Sequence, residues 1–274
     1  METRDYKIIG LMLEQKFLTL SQFLKVEDGG SRLFPSESAL RNRLSALKKQ
    51  KIIDSIKNGN GTIYFPTNRG YKMLVNSTFA HKNLFALTPM NKSKYSPVIY
   101  EHTVILTDIR FIFESSGFIE EWEPERVIQT KFRGDLSKDF ELNVSLIEKI
   151  NLTKKKMAGI PIPDAECSLN GCRAAIELEL SSRSIKRMVE KLLRYKKRDD
   201  IEVLIWIFYS ETKLNSFLSL YLKSDQRLRR QTTVYLTTVK ELLSNELETD
   251  FLTIVESGTS GALSTVKRKV LMGE

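Results

Sequence analysis

Asp164 follows Pro163 in the stretch IPIPDAECSLNGC, and the run AAIELEL at 174–180 then carries Glu177 and Glu179 with one apolar residue between them. Successive side chains of a strand point to opposite faces. Glu177 and Glu179 therefore share one face, and Ile176, Leu178 and Leu180 share the other. Carboxylates crowded together repel one another, and a cation is the natural relief. An aspartate brought alongside from a neighbouring strand gives two or three hard oxygen donors, a set suited to Mg2+ or Mn2+. An ion held there can polarise a scissile phosphate and activate water. The competing reading is structural: a strand face that meets water, or one whose carboxylates pair with Arg183, Lys186 or Arg187 from the start of the next helix.

The elements around this pattern are legible from periodicity. SPVIYEHTVILTDIRFIFESSG reads as a helix ending at Gly117, and FIEEWEPERVIQ as a strand interrupted by Pro124. AAIELEL is the strongest strand. SIKRMVEKLLRYKKR is an amphipathic helix with Ile185, Met188, Val189, Leu192 and Leu193 turned inward. IEVLIWIFYS is a near-continuous apolar run, as in a central strand covered on both faces. TKLNSFLSLYLK predicts a further helix and TTVYLTTV a further strand. The order α-β-β-β-α-β-α-β predicts an α/β domain around a mixed central sheet over 97–250. Residues 251–274, rich in Ser, Gly and Thr, are expected to form a flexible tail. Glu101, Asp108 and Glu114 on the opening helix are further candidate acids, each more often a surface carboxylate, and His102 reads as a packing residue. Trp122 and Trp206 are expected in the core.

The first third of the chain has a different character. Residues 1–95 hold 16 Lys and Arg against 7 Asp and Glu, whereas residues 96–274 hold 27 of each. All of the net charge of +9 therefore sits in the first third, which favours a polyanionic partner. DYKIIGLMLEQKFL predicts one helix, Thr19 caps a second at LSQFLKV, and Ser36 caps a third at ESALRNRLSALKKQK. In the third helix Leu40, Leu44 and Leu47 make one apolar side. Ser38, Arg41, Asn42, Arg43, Ser45, Lys48 and Lys49 make the other. IIDSI and TIYFP flank an Asn-Gly turn, as in a β-hairpin. Three helices and then a hairpin is the order of a winged helix-turn-helix over 1–76, with 77–96 as a linker. In such a module Arg41, Arg43 and Asn42 face base edges in double-stranded DNA. Lys48, Lys49, Lys57 and Arg69 face phosphates. A solvated basic face, or a winged helix that docks on protein, is the plainer alternative.

Composition sets outer limits. The chain has 274 residues, enough for one large domain or two small ones, and no apolar run long enough to span a membrane. The charged N-terminus lacks a small-residue cleavage site, so no signal peptide is expected. Two cysteines, Cys167 and Cys172, flank SLNG and have no histidine beside them; reduced thiols in a cytoplasmic protein are the expectation.

Helix, strand, Pro163-Asp164, then Glu177-Leu-Glu179 before an amphipathic helix is similar to the restriction-endonuclease-like core with its PD-(D/E)xK pattern. With the winged helix ahead of it and EHTVILTDIR opening the second domain, the chain resembles the replication-relaxation family of plasmid and mobile-element proteins over roughly residues 5–240. The resemblance implies DNA binding in replication or relaxation, with other replication or mobilisation proteins as further partners. It also implies Asp164, Glu177 and Glu179 as a magnesium-dependent nuclease site. The pattern's lysine is Glu179 here. Either Arg183 or Lys186 supplies the positive charge, or the fold binds DNA without cutting it. A winged-helix regulator is a third reading, and a homodimer reading two half-sites is compatible with all three.

Overall fold

The structure, a computed structural model, describes residues 2–58, 61–79, 84, 87–90, 96–115, 117, 119–138, 159–180, 184–195, 198–223, 232–244, 250–257 and 260–267. It is mixed α/β, and the chain divides into two compact units, Met1–Phe111 and Ile112–Glu274. Among the described residues no helix is long and apolar enough to cross a membrane.

The first unit opens with α1 (Thr3–Gln15), whose Ile8, Ile9, Met12 and Leu13 are buried. A two-residue strand β1 (Leu18–Thr19) leads into a short α2 (Leu20–Phe23). Thr19 caps it: the side chain accepts from Gln22 N at 3.3 Å, and Gln22 Oε1 accepts from Thr19 N at 3.0 Å. The helix expected over LSQFLKV stops at Phe23, because a tight hairpin follows. There β2 (Glu27–Asp28) and β3 (Ser31–Arg32) are joined by Gly29 and Gly30 at φ 60° and 78°. Positive φ at both central residues is what a two-residue hairpin turn demands. Ser36 then caps α3 (Glu37–Lys49) through Ala39 N at 3.2 Å, and Leu40, Leu44 and Leu47 are buried as their spacing predicts.

The hairpin β4 (Ile53–Asn58) and β5 (Gly61–Pro66) follows, with β1 added antiparallel to β5 to make a three-stranded sheet. Helix α4 (Asn68–Val75) closes against it at Gly70, where a Cβ would lie 2.2 Å from Ile52 O. That carbonyl already accepts from Thr67 N at 3.0 Å.

Helix α5 (Pro97–Ser115) is the helix expected to open the second domain. Through Phe111 it belongs to the first unit instead. Thr107 Oγ1 donates to Gln15 Oε1 at 3.3 Å, Gln22 Nε2 donates to Val104 O at 2.9 Å, and Arg110 pairs with Glu14 at 3.1 Å. Tyr100 stacks on Phe17 at 5.8 Å. The expected boundary at residue 97 therefore lies inside the first unit, and most of the expected linker, 77–96, falls outside the described residues.

The second unit is built on a seven-stranded mixed sheet of order β12-β11-β10-β9-β8-β7-β6. Strand β6 (Glu120–Pro124) is the edge, and it ends at its proline. FIEEWEPERVIQ is thus not one strand. Proline closes the ladder, and Glu125 starts α6 (Glu125–Lys138), which buries Val127 and Ile128. Strands β7 (Ala165–Leu169) and β8 (Cys172–Glu179) form an antiparallel hairpin through Asn170 and Gly171. Cys167 lies opposite Ala174, and Cys172 opposite Leu169, and both thiols are free. Helix α7 (Ile185–Arg194) carries the chain to β9 (Val203–Phe208), parallel to β8. Helix α8 (Glu211–Lys223) carries it to β10 (Thr233–Thr238), parallel to β9. After α9 (Val239–Ser244) come β11 (Asp250–Ser257) and β12 (Ser260–Lys267), antiparallel to their neighbours. The tail expected over 251–274 is thus largely a hairpin. Its two runs pair along their whole length and β11 pairs with β10, so backbone hydrogen bonding outweighs a composition that favours turns.

One face of this sheet carries the main core. Ala175, Leu204, Trp206, Phe208, Val234 and Leu236 meet Met188, Val189 and Leu192 of α7, Tyr195 at its C-cap, and Leu214, Phe217 and Tyr221 of α8. Phe217 sits 5.3 Å from Trp206 and 5.2 Å from Phe208, ring centre to ring centre.

Candidate functional site

Register settles where the two glutamates point. Glu177 lies beside Trp206 and Glu179 beside Phe208 across the parallel β8–β9 pair, so both share the face that α7 and α8 cover. Both are buried, Glu177 to 3% exposure. Buried carboxylates need partners. Lys191 Nζ of α7 donates to Glu177 Oε2 at 2.5 Å, and the hydroxyl of Tyr195, one turn further along the same helix, donates to Oε1. Burial pushes the Glu177 carboxyl up to about 7; Lys191 opposes the push and Asp164 adds to it. The phenol of Tyr195 is raised, by burial first and then by Glu177.

Asp164 stands at the entry to β7. Its Oδ2 accepts the N–H of Leu178 at 2.7 Å, and its backbone carbonyl accepts the N–H of Glu125, the first residue of α6, at 2.8 Å. Asp164 thus braces the β8 backbone between Glu177 and Glu179 and acts electrostatically on Glu177. A second ionic cluster holds the approach to Asp164. Arg198 donates to Pro161 O at 3.2 Å, to Glu166 Oε1 at 2.8 Å and to both oxygens of Asp200 at 2.7 and 2.8 Å. Arg173 Nε donates to Glu166 Oε2 at 2.9 Å. Burial alone would weaken Arg198 as a base, but Asp200 and Glu166 hold it charged, and Asp200 is correspondingly a stronger acid than usual.

The cation beside the acids is therefore Lys191, not Lys186. Lys186 and Arg187 are exposed and make no ion pair among the described residues. Arg183 lies outside the described residues. Lys191, Tyr195, Glu166 and Arg198 were not singled out from sequence. The one available signal was the spacing that places Lys191 and Tyr195 one turn apart on α7. Of the α5 acids, Asp108 pairs with Lys25 at 3.2 Å within the first unit, and Glu101 and Glu114 are exposed. Burial pushes the Cys167 thiol up to about 12, so it has no thiolate character.

Asp164, Glu177 and Glu179 are the residues that would hold a hard divalent cation, and an all-carboxylate donor set fits Mg2+ or Mn2+. Among the described residues no cluster of three or more such donors is already gathered as a metal cage. Lys191 and Tyr195 occupy both oxygens of Glu177, so an incoming cation has to compete with an ammonium and a phenol for them.

In the first unit α3 presents Ser38, Arg41, Asn42, Ser45, Lys48 and Lys49 to solvent, with Lys57 of β4 and Arg69 of α4 also exposed. Arg41 pairs with exposed Glu37, one turn back, at 2.6 Å. Lys48 Nζ donates to Ser55 Oγ at 2.6 Å and is thereby tied to β4. Arg43 is different. Its Nε donates to Asp5 Oδ1 at 2.7 Å and its Nη2 to Asp5 Oδ2, and Asp5 is fully buried. Burial works to raise the Asp5 carboxyl, yet Arg43 and the Glu2 N–H hold it below its usual range. Arg43 is the clamp between α3 and α1 rather than part of the outer face.

No family model matches this chain, and no curated protein or solved structure is detectably similar to it.

Proposed function

We propose that the chain is a DNA-binding protein of the replication-relaxation type, with a winged helix in the first unit and a nuclease-like second unit. The observation that carries the first part is the outer face of α3. Arg41 and Asn42, the side chains suited to guanine and adenine edges, are exposed there beside Lys49, in the part of the chain that holds the whole excess of positive charge. The hairpin β4–β5 supports the same reading, since Lys57 on β4 is exposed and its ammonium suits a phosphate. The test is duplex binding. Arg41→Ala is expected to weaken binding to a selected site by about tenfold while leaving the melting temperature unchanged, because a base contact is worth ~1–3 kcal/mol. Equal losses on selected and scrambled duplexes would reassign Arg41 to the backbone. Arg43→Ala is expected to lower the melting temperature instead, since it strands a buried carboxylate.

A second reading, cleavage of DNA with magnesium, is favoured by one specific arrangement. Asp164, Glu177 and Glu179 lie at the start of β7 and on β8, and Lys191 supplies from α7 the positive charge absent from position 179. In that reading Mg2+ or Mn2+, when bound, would supply Lewis-acid polarisation of a phosphate. Glu177 and Asp164 would hold the cation, and Lys191, whose Nζ donates to Glu177, would be the cation on hand for developing negative charge. Calorimetry with Mg2+ or Mn2+ on wild type and Glu177→Gln, with plasmid nicking in the same samples, decides it. Binding and nicking lost together in the variant support an enzyme. Absence of both from wild type leaves a DNA-binding platform.

A further inference from the structure

Strands β8 and β9 run parallel, so the carboxyl ends of both open at the same edge of the sheet, where Glu179 stands. In α/β sheets ligands bind outside the carboxyl ends of the strands. Two residues at this edge stand out. Tyr209 follows Phe208, the cross-strand neighbour of Glu179, and its N–H donates to Glu179 O at 3.1 Å. Its backbone is therefore fixed beside the carboxylates, yet the residue is 55% exposed. Lys213 lies in the first turn of α8, next to Leu214 in the core beneath. Its Nζ is withdrawn from water and has no hydrogen-bond partner among the described residues. An ammonium in that condition is costly, and an anionic oxygen would satisfy it. Between the two, the Ser210 carbonyl accepts the N–H groups of Lys213 and Leu214, so α8 begins at this same edge.

We propose that Tyr209 and Lys213 form a strand-docking subsite next to the carboxylate centre, where an unpaired nucleotide stacks its base on Tyr209 and sets its phosphate on Lys213. The inference rests on the reading of Asp164, Glu177 and Glu179 as a phosphodiester site and adds what that site takes: a single-stranded or frayed strand. The base in question is unpaired because the faces of a base inside a duplex are already stacked and cannot meet the ring. Stacking tolerates any base, so this subsite contributes affinity and position rather than sequence choice.

The test uses the full chain, a fluorescent oligothymidylate, and Ca2+ in place of Mg2+ for the binding arm. Tyr209→Ala is expected to weaken binding about tenfold, and Tyr209→Phe to bind as wild type, because a ring face is what stacks. Lys213→Gln is expected to reduce the slope of log K against log salt by about 0.7, as loss of one phosphate contact on a single strand does. Wild-type affinity in Tyr209→Ala overturns the subsite, and so does a loss in Tyr209→Phe equal to that in Tyr209→Ala. Nicking that Glu177→Gln abolishes and Tyr209→Ala leaves untouched removes the subsite and keeps the carboxylate centre. Weakened binding in Tyr209→Ala, with no nicking by wild type under Mg2+, keeps the docking edge and removes cleavage. Failure of wild type to bind the oligonucleotide ends the proposal.

Discussion

Glu177 is a carboxylic acid that burial pushes up to about 7 from an ordinary value of 4.5. Between those values the folded chain keeps a proton that the unfolded chain has lost. Stability from this group is therefore complete below about pH 4.5 and is lost as pH rises through 7. Removing the ionisable group should remove that slope. In urea unfolding from pH 4.5 to 8, Glu177→Gln is expected to lose less stability than wild type, with a difference of roughly 3 kcal/mol across the window. Parallel pH profiles would show that Lys191 and Tyr195 compensate the burial completely. Asp5 and Asp200 work in the opposite sense, since their depressed values lend stability that is lost only at more acidic pH. At this scale the sequence shows that Glu177 and Glu179 share a face, because strand alternation is local. It does not show Lys191. The cations nearest in sequence, Arg183 and Lys186, were the natural candidates, but the crossing of α7 over β8 brings the helix's second turn, not its start, to Glu177.

Among the elements, α4 shows how a helix can be placed by a missing side chain. Gly70 lets the helix backbone approach Ile52 O, which is also bound by Thr67 N and Thr67 Oγ1. A Cβ at 2.2 Å from that oxygen cannot be accommodated by rotating a side chain, because the obstacle is backbone. Gly70→Ala is expected to destabilise by about 2–3 kcal/mol, read as a lower urea midpoint with an unchanged slope. An unchanged midpoint would mean that α4 shifts without cost. The caps Thr19 and Ser36 were legible because an oxygen at the residue before an apolar-periodic run has one local use. The break at Pro124 is legible in the sequence, but the helix that follows it is not. Val127 and Ile128 fit a strand's composition as well as a helix's; the pairing of β6 with β7 runs to Pro124, the Glu125 N–H still donates across to Asp164 O, and the chain then turns into α6.

For the molecule as a whole, the charge asymmetry has a measurable consequence. If Lys48, Lys49, Lys57 and Arg69 each meet a phosphate, log K for duplex binding should fall against log salt with a slope of about −3 to −4. Lys49→Ala should make it shallower by about one unit. A slope near zero would sink the reading of the first unit as a DNA-binding module. Charge, helix periodicity, caps and strand alternation were determined by the sequence itself, since each depends on residues within one or two turns of one another. The tertiary structure alone decided three things. Arg43 turns inward to Asp5, because two distant helices meet there. The C-terminal run becomes strand, because β10 offers an edge to pair with. Glu177 faces an ammonium and a phenol rather than water, because α7 folds back over the strand that carries it. Each of these is a long-range pairing whose partner lies outside any local window, and burial is what makes an unpaired charge or backbone group at those points too costly to leave.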